Sequence, residues 1–240
     1  DLATLRSILQ RLSEFERVVT DRLEGGIGRT PVEQGHIEIR DLVLDRADGS
    51  RLVRIGDLII PAGSRWIIGG SSGVGKSTLL RALAGLWTYG TGRVSFNMRD
   101  AMFLPQRSYV PTGTLRQALS YPATPDRYDR AACEVALEAA NLSELVSKLD
   151  QNAVWGDVLS PGEQQRLAFA RVFLARPTVL FLDEATSALD AENETLLYTR
   201  LLAFLPEVTL ISVAHHSDLK RFHDREAVLS QHGMTIQLLS

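Results

Sequence analysis

Residues Gly70 to Thr78 read GSSGVGKST and satisfy the pattern G-x-x-x-x-G-K-[ST], with Gly70, Gly75, Lys76 and Ser77 at its fixed positions. The pattern dictates a local shape. Glycines let the main chain wrap tightly enough for the N–H groups of Ser71, Ser72, Gly73, Val74 and Gly75 to converge on a polyphosphate. Lys76 adds a point charge for the β- and γ-phosphates, and the Ser77 hydroxyl suits Mg²⁺. A helix opening at Ser77, with Leu79, Leu80 and Leu83 on one face, turns its positive end toward the same anion. Such a loop needs a strand before it, and Arg65-Trp66-Ile67-Ile68 is a short apolar run that fits.

Other apolar runs end in polar groups that suit phosphate chemistry. Ala101–Leu104 leads to Gln106, the fully apolar Val179–Leu182 leads to Asp183 and Glu184, and Val208–Val213 leads through Ala214 to His215. Fully apolar runs of this length suit strands covered on both faces, and open α/β sheets bind ligands beyond the carboxyl ends of their strands. As parallel neighbours, these strands would bring Gln106, Asp183, Glu184 and His215 to the phosphates. Asp183 then fits a Mg²⁺ position through the ion's water shell, with Ser77 opposite, Glu184 a general base or water-orienting group, and His215 a hydrogen bond to the γ-phosphate or the attacking water.

Elsewhere the chain alternates between sheet and helix signals. His36–Arg40 alternates as a half-buried strand continuing to Leu44, Asp48-Gly49 marks a hairpin turn, and Leu52, Ile55, Leu58 and Ile60 mark the return. With Arg93–Phe96 they make an antiparallel β lobe. Residues 114–175 are rich in helix signals: Thr114–Leu119, Arg130–Asn141, Glu144–Leu149 and Gly162–Ala175. Glu194–Phe204 reads as a further helix, and Arg225–Leu229 with Met234–Leu239 as a closing hairpin around His232-Gly233. The expected fold is α/β: a parallel-sheet nucleotide-binding core, an antiparallel β lobe and an inserted helical lobe.

Residues 2–19 carry leucines at helical spacing, and Thr20–Gln34, with its glycines, reads as a linker. That helix fits packing on its own domain, the tail of a preceding domain, or a dimer contact. The chain starts at Asp1 and not Met, so we expect a piece of a longer polypeptide, with residues 1–34 a junction to an upstream membrane domain and residues 35–240 the nucleotide-binding domain. No apolar run approaches the roughly 18 residues that span a bilayer. A net charge of −3 gives no positive field for nucleic acid. The single cysteine, Cys133, excludes an internal disulfide and sits in an apolar helical pattern as a packed thiol.

Leu159-Ser160-Pro161-Gly162-Glu163 opens a helix: Ser160 caps it, Pro161 takes the first position, and Glu163 completes a capping box. An exposed helix mouth with Ser160 and Gly162 is also a second anion surface, about 85 residues from the first. A head-to-tail pair of domains with nucleotide in the seam would use both.

Taken in order, GSSGVGKST, Gln106, LSPGEQQR, VLFLDE, SALD (Ser187–Asp190) and His215 resemble the ATP-binding cassette ATPases over residues 36–239. The resemblance implies a Walker A loop (Gly70–Thr78), a Q-loop (Gln106), a signature (Leu159–Glu163), a Walker B carboxylate (Asp183), a catalytic glutamate (Glu184), a D-loop ending at Asp190 and a switch histidine (His215). It implies ATP and Mg²⁺ as cofactors, with Ser77, Gln106 and Asp183 on the metal. It further implies a sandwich of two cassettes, a homodimer, in which Lys76 of one and Ser160 and Gly162 of the other meet each γ-phosphate. GLW (Gly85–Trp87), the run Phe103–Pro122 and LSPGEQQRLAFAR are similar to the peroxisomal fatty-acyl transporter subfamily and its bacterial relatives, which include vitamin B12 and peptide importers. In those proteins the cassette follows a membrane domain on the same chain, which implies a place on the cytoplasmic face of a bacterial inner membrane.

Two departures stand out. Pro161 and Glu163 replace the commoner Gly and Gln of the signature; Pro161 costs no hydrogen bond in a first helical turn. Many cassettes also stack adenine on an aromatic residue about 30 positions before the lysine, and Asp45–Arg51 holds none. Base contact must come from Arg46 or Arg51, from aliphatic groups, or from another segment. A soluble cassette ATPase of DNA repair or translation is the rival reading, against which stands the lack of coiled coils or a second cassette; a small-molecule kinase would leave LSPGE and His215 unexplained.

Overall fold

The computed structural model describes residues 26–32, 35–214 and 217–239. The helix expected over 2–19 and His215 lie outside them.

The elements run β1 (Gly28–Pro31), β2 (Ile37–Asp45), β3 (Arg51–Ile60), β4 (Arg65–Gly69), α1 (Lys76–Ala84), β5 (Gly90–Phe96) and β6 (Ala101–Leu104). A helical lobe follows: β7 (Gly113–Thr114), α2 (Leu115–Ser120), α3 (Arg130–Ala139), β8 (Asn152–Ala153), α4 (Trp155–Val158) and α5 (Pro161–Ala175). The chain then returns through β9 (Val179–Asp183), α6 (Ala191–Phe204), β10 (Thr209–Val213), β11 (Arg225–Ser230) and β12 (Gly233–Leu238).

The main sheet has the order β12-β11-β4-β10-β9-β6 and is parallel from β11 to β6, with β12 antiparallel at the edge. The strands read as parallel neighbours are therefore neighbours, and their carboxyl ends lie together. Alternation explains the apolar runs: Leu180 and Leu182 face the helical lobe, while Val179 and Phe181 face α1 and the smaller sheet. Phe181 is fully buried against Phe96, ring centroids 5.8 Å apart. Truncating such a residue to Ala costs about 3–5 kcal/mol.

The smaller sheet has the order β1-β5-β2-β3, antiparallel through β5, β2 and β3 as expected. Within the stretch read as a linker, Gly28–Pro31 is instead a strand, added in parallel to β5. Nothing in GRTP alternates; backbone pairing and Arg29 hold it. The Arg29 guanidinium donates to the carbonyls of Gly85 (3.1 Å), Ala82 (3.3 Å) and Trp87 (3.3 Å), a cation placed at the C-terminus of α1. Burial lowers its pKa. Helix α6 begins at Ala191, three residues before the expected Glu194, because Asp190 accepts from Asn193 N and caps it. Cys133 is buried in the helical-lobe core, and burial pushes its thiol pKa up.

Candidate nucleotide site

Strand β4 runs into the glycine-rich loop, and α1 leaves it at Lys76. Gly70 has φ +128°, and a Cβ there would meet Leu229 O at 2.3 Å, so only glycine fits beside β11. Gly75, at φ +108°, turns the chain into α1. Val74 buries its side chain under the loop, and Lys76 Nζ folds back to donate to Gly70 O (2.9 Å) and Ser71 O (3.0 Å). The result is a closed ring of main chain at a helix N-terminus, the form that anions favour.

A cavity of about 530 Å³ opens over this ring. Ser72, Gly73, Gly75, Lys76, Ser77 and Thr78 line one part of it, Glu184 another, and Arg46, Leu52 and Trp87 the rest. Glu184 follows β9 with φ +53°, a left-handed conformation rare outside glycine, and its N–H donates to Val213 O at 2.9 Å. Backbone strain of order 1–3 kcal/mol persists only where the surroundings over-determine it. Here β10 fixes the main chain, and Gln106 Nε2 donates to Glu184 Oε2 at 3.0 Å.

Asp183 is almost fully buried at the end of β9. Its Oδ2 accepts from Arg81 Nη2 at 3.2 Å, while Oδ1 is buried and has no hydrogen-bond partner. Arg81 lies one helical turn beyond Ser77 on the same face of α1, so Asp183 stands against the face that carries the Ser77 hydroxyl. An unsatisfied buried carboxylate oxygen near a serine hydroxyl is a hard-oxygen donor set of the kind Mg²⁺ takes, with phosphate and water completing it. Among the described residues no cluster of three or more His, Cys, Asp or Glu could hold a metal by itself.

Ser160, Gly162 and Glu163 do not line this cavity. Ser160 caps α5: Glu163 Oε2 accepts from Ser160 N (2.8 Å) and from its hydroxyl (2.5 Å), and Glu163 N donates to Ser160 Oγ at 3.3 Å. The Ser160 hydroxyl holds the Glu163 carboxyl below its usual pKa. The Cβ position of Gly162 faces Ala188 O at 3.3 Å. Asp190 caps α6, and hydrogen bonds from Asn193 lower its pKa.

Two contributors were not read from sequence. Buried Gln165 donates to Gln106 O (3.0 Å) and Ser187 Oγ (3.3 Å) and accepts from Ala188 N (2.9 Å), tying α5 to the segments after β6 and β9. Trp87 enters the cavity wall because Gly85 ends α1 in a left-handed turn, with Leu86 N donating to Arg81 O at 2.7 Å, and returns the chain toward β2. Of the arginines considered for base contact, Arg46 lines the cavity; Arg51 pairs with Asp45 at 3.8 Å.

The ABC transporter family matches residues 54–187. A Haemophilus influenzae protein described as an uncharacterized ABC transporter ATP-binding protein is 40% identical over 194 residues, which is 81% of this chain and 33% of that protein. The human lysosomal cobalamin transporter ABCD4 is 41% identical over 186 residues, 72% of this chain and 30% of that protein. The chain thus spans about a third of the length of these relatives. A bacterial Atm1-family ABC exporter with ATP bound superposes with a TM-score of 0.79 at 25% identity, over 96% of this chain and 44% of that chain.

Proposed function

The chain belongs to the ABC transporter family, as an ATP-binding ATPase domain of it, and we propose that it is the motor of a half-transporter whose membrane domain lies on the same polypeptide. The observation that carries the hydrolytic part of this reading is the meeting of Gln106 and Glu184, 3.0 Å apart, with Glu184 in the wall of the phosphate-loop cavity.

In this reading the N–H groups of Ser71 to Thr78 bind the ATP polyphosphate, and Lys76 exchanges its loop carbonyls for phosphate oxygens. Ser77, Asp183 Oδ1 and the Gln106 amide oxygen would hold Mg²⁺, which would neutralise charge on the phosphates. Glu184 orients the attacking water and takes its proton, while Gln106 keeps the carboxylate aimed. His215, which follows Ala214 in sequence, is assigned in this reading to a hydrogen bond with the γ-phosphate.

In this reading one chain supplies half of the site: Ser160 and Gly162 do not line the phosphate-loop cavity, and they serve, with Asp190, the cavity of a second copy. Closure of two cassettes around two ATP then moves the membrane domains. The fraction of the relatives' length that this chain spans supports a larger parent protein, and its 29% identity over 215 residues to the Escherichia coli inner membrane ABC transporter ATP-binding protein YddA supports the inner membrane of a bacterium, with this domain on its cytoplasmic face.

An antibody raised to the chain tests the reading on fractionated source cells. A band of about twice this mass or more, in membranes and resistant to carbonate washing, is expected. A soluble band of the chain's own size would overturn the one-polypeptide half-transporter.

A further inference from the structure

The cavity wall holds three residues that belong neither to the glycine-rich loop and α1 nor to the segment after β9: Arg46, Leu52 and Trp87. They come from β3, the turn before it and the segment after α1, and two of them are fixed to the same place. The Trp87 indole N–H donates to Asp45 O at 3.1 Å, directly beside Arg46. Asp45 N in turn donates to Tyr89 O at 3.2 Å. The Trp87 carbonyl accepts from Arg29 Nη2 at 3.3 Å, and its ring rests against Tyr89 with centroids 5.1 Å apart. Arg46 is held by its own turn, Nη1 donating to Ser50 Oγ (3.1 Å) and Arg51 O (3.0 Å). A half-buried tryptophan pinned at its nitrogen, its main chain and one ring neighbour has lost its rotamer freedom before any ligand arrives.

We propose that Trp87 and Arg46 form the base-binding end of this cavity, and that they take the base by its face, so that adenine and guanine nucleotides bind with similar affinity. The inference rests on the nucleotide reading above and adds to it the part of the ligand that the glycine-rich loop does not touch. The β2–β3 turn contains no aromatic side chain, and Trp87 supplies the flat surface from the opposite side in sequence. Its only donor is spent on Asp45, so the indole has nothing left with which to read a base edge. Arg46, held at Nη1 by its own turn, offers the plane of its guanidinium, and a cation over a π-face serves adenine and guanine alike. Stacking on an aromatic face is tolerant of base identity because every base has a π-face. Leu52 packs beside them and is equally indifferent.

Intrinsic fluorescence of the full chain with Mg²⁺ present tests this directly. Trp66 and Trp155 are buried away from the cavity, at 2% and 1% exposure, so Trp87 is the reporter. ATP and GTP should each change the emission with dissociation constants within about three-fold of one another, whereas inorganic tripolyphosphate should bind without the change. Trp87→Ala should weaken ATP and GTP roughly ten-fold or more, as loss of base stacking does, and leave tripolyphosphate affinity unaltered; Trp87→Phe should restore most of the loss. Unaltered tripolyphosphate binding also shows that the variant is folded. Emission that ATP leaves unmoved at saturation overturns the proposal, as does ATP affinity unchanged in Trp87→Ala, or a preference of ten-fold or more between ATP and GTP. If the alanine variant loses tripolyphosphate as well, wild-type emission and Arg46→Ala decide by the same criteria. Wild-type chain that binds neither ATP nor tripolyphosphate would instead overturn the nucleotide reading itself.

Discussion

Gln106 Nε2 donates to Glu184 Oε2 across 3.0 Å, joining the segments that follow β6 and β9. The two residues are 78 apart in sequence, and parallel pairing of β6 with β9 sets them side by side. The carboxylate is thereby aimed, while β10 holds its main chain in the left-handed region. Glu184→Gln keeps the size and the neighbour but cannot take a proton from water. The expected result is ATP affinity within about three-fold of wild type, phosphate release reduced at least ~100-fold, a factor within the typical reach of general-base catalysis, and a dimer that persists in ATP. Phosphate release and sizing chromatography measure it; turnover at the wild-type rate would remove Glu184 from the mechanism.

Lys76 bridges Gly70 O and Ser71 O, so its charge stands at the centre of the loop. Lys76→Ala removes a charged hydrogen bond to phosphate worth about 1.5–3 kcal/mol, which is roughly a 10- to 100-fold loss of Mg-ATP affinity. Equilibrium binding checks this, and unchanged affinity would contradict the assignment of the loop.

Gln165 is expected to act by positioning. Gln165→Ala removes the hydrogen bonds to Gln106 O and Ala188 N, each worth about 0.5–1.5 kcal/mol. Because Gln165 does not line the phosphate cavity, ATP affinity should hold while kcat falls roughly ten-fold, the rate equivalent of about 1.4 kcal/mol. A fall in affinity matching the fall in rate would show general loosening instead. Comparison of Kd with kcat separates the two.

Local signals carried much of this site. The phosphate loop is contiguous, and the apolar run Val179–Leu182 needs only its composition to be placed inside a covered sheet. Ser160 to Glu163 form a capping box whose spacing is visible in the letters alone. What escaped were contacts between distant segments. Trp87 meets Asp45 across 42 residues and Gln165 meets Gln106 across 59, and no periodicity encodes either. Strand β1 escaped for a related reason: its pairing is made by backbone and by one arginine, neither of which leaves a hydrophobic pattern. The start of α6 could have been read, since Asp190 is a good N-cap placed directly before the helix.

His223 makes stability depend on pH. Its ring is buried, Nδ1 against Leu219 O (2.8 Å) and Nε2 against Ser212 Oγ (3.0 Å), and burial lowers its pKa to about 4. The unfolded chain therefore binds a proton near pH 6.5 that the folded chain refuses until about 4, so stability falls as pH drops through that window. The loss from this group should reach about 2 kcal/mol by pH 5. Urea unfolding at pH 7.5 and 5 measures it, and His223→Gln should flatten the difference between the two. An equal difference in the variant would assign the effect to other groups.

Ser160 separates two roles of one residue. As the cap of α5 it is worth about 1 kcal/mol, so Ser160→Ala should lower stability by about that amount. As the proposed phosphate contact of a second copy, it should matter only when two chains close. Ser160→Arg places a long cation at an exposed helix N-terminus, against the dipole and into the proposed seam. The monomer's own cavity does not include Ser160, so its ATP affinity should match that of Ser160→Ala. The ATP-dependent dimer seen with Glu184→Gln should disappear when Ser160→Arg is added, and mixing that double variant with Glu184→Gln chains should give at most half-closed pairs. Sizing chromatography in ATP reads all three samples. A dimer that survives in the double variant would mean that α5 does not face the nucleotide of its partner.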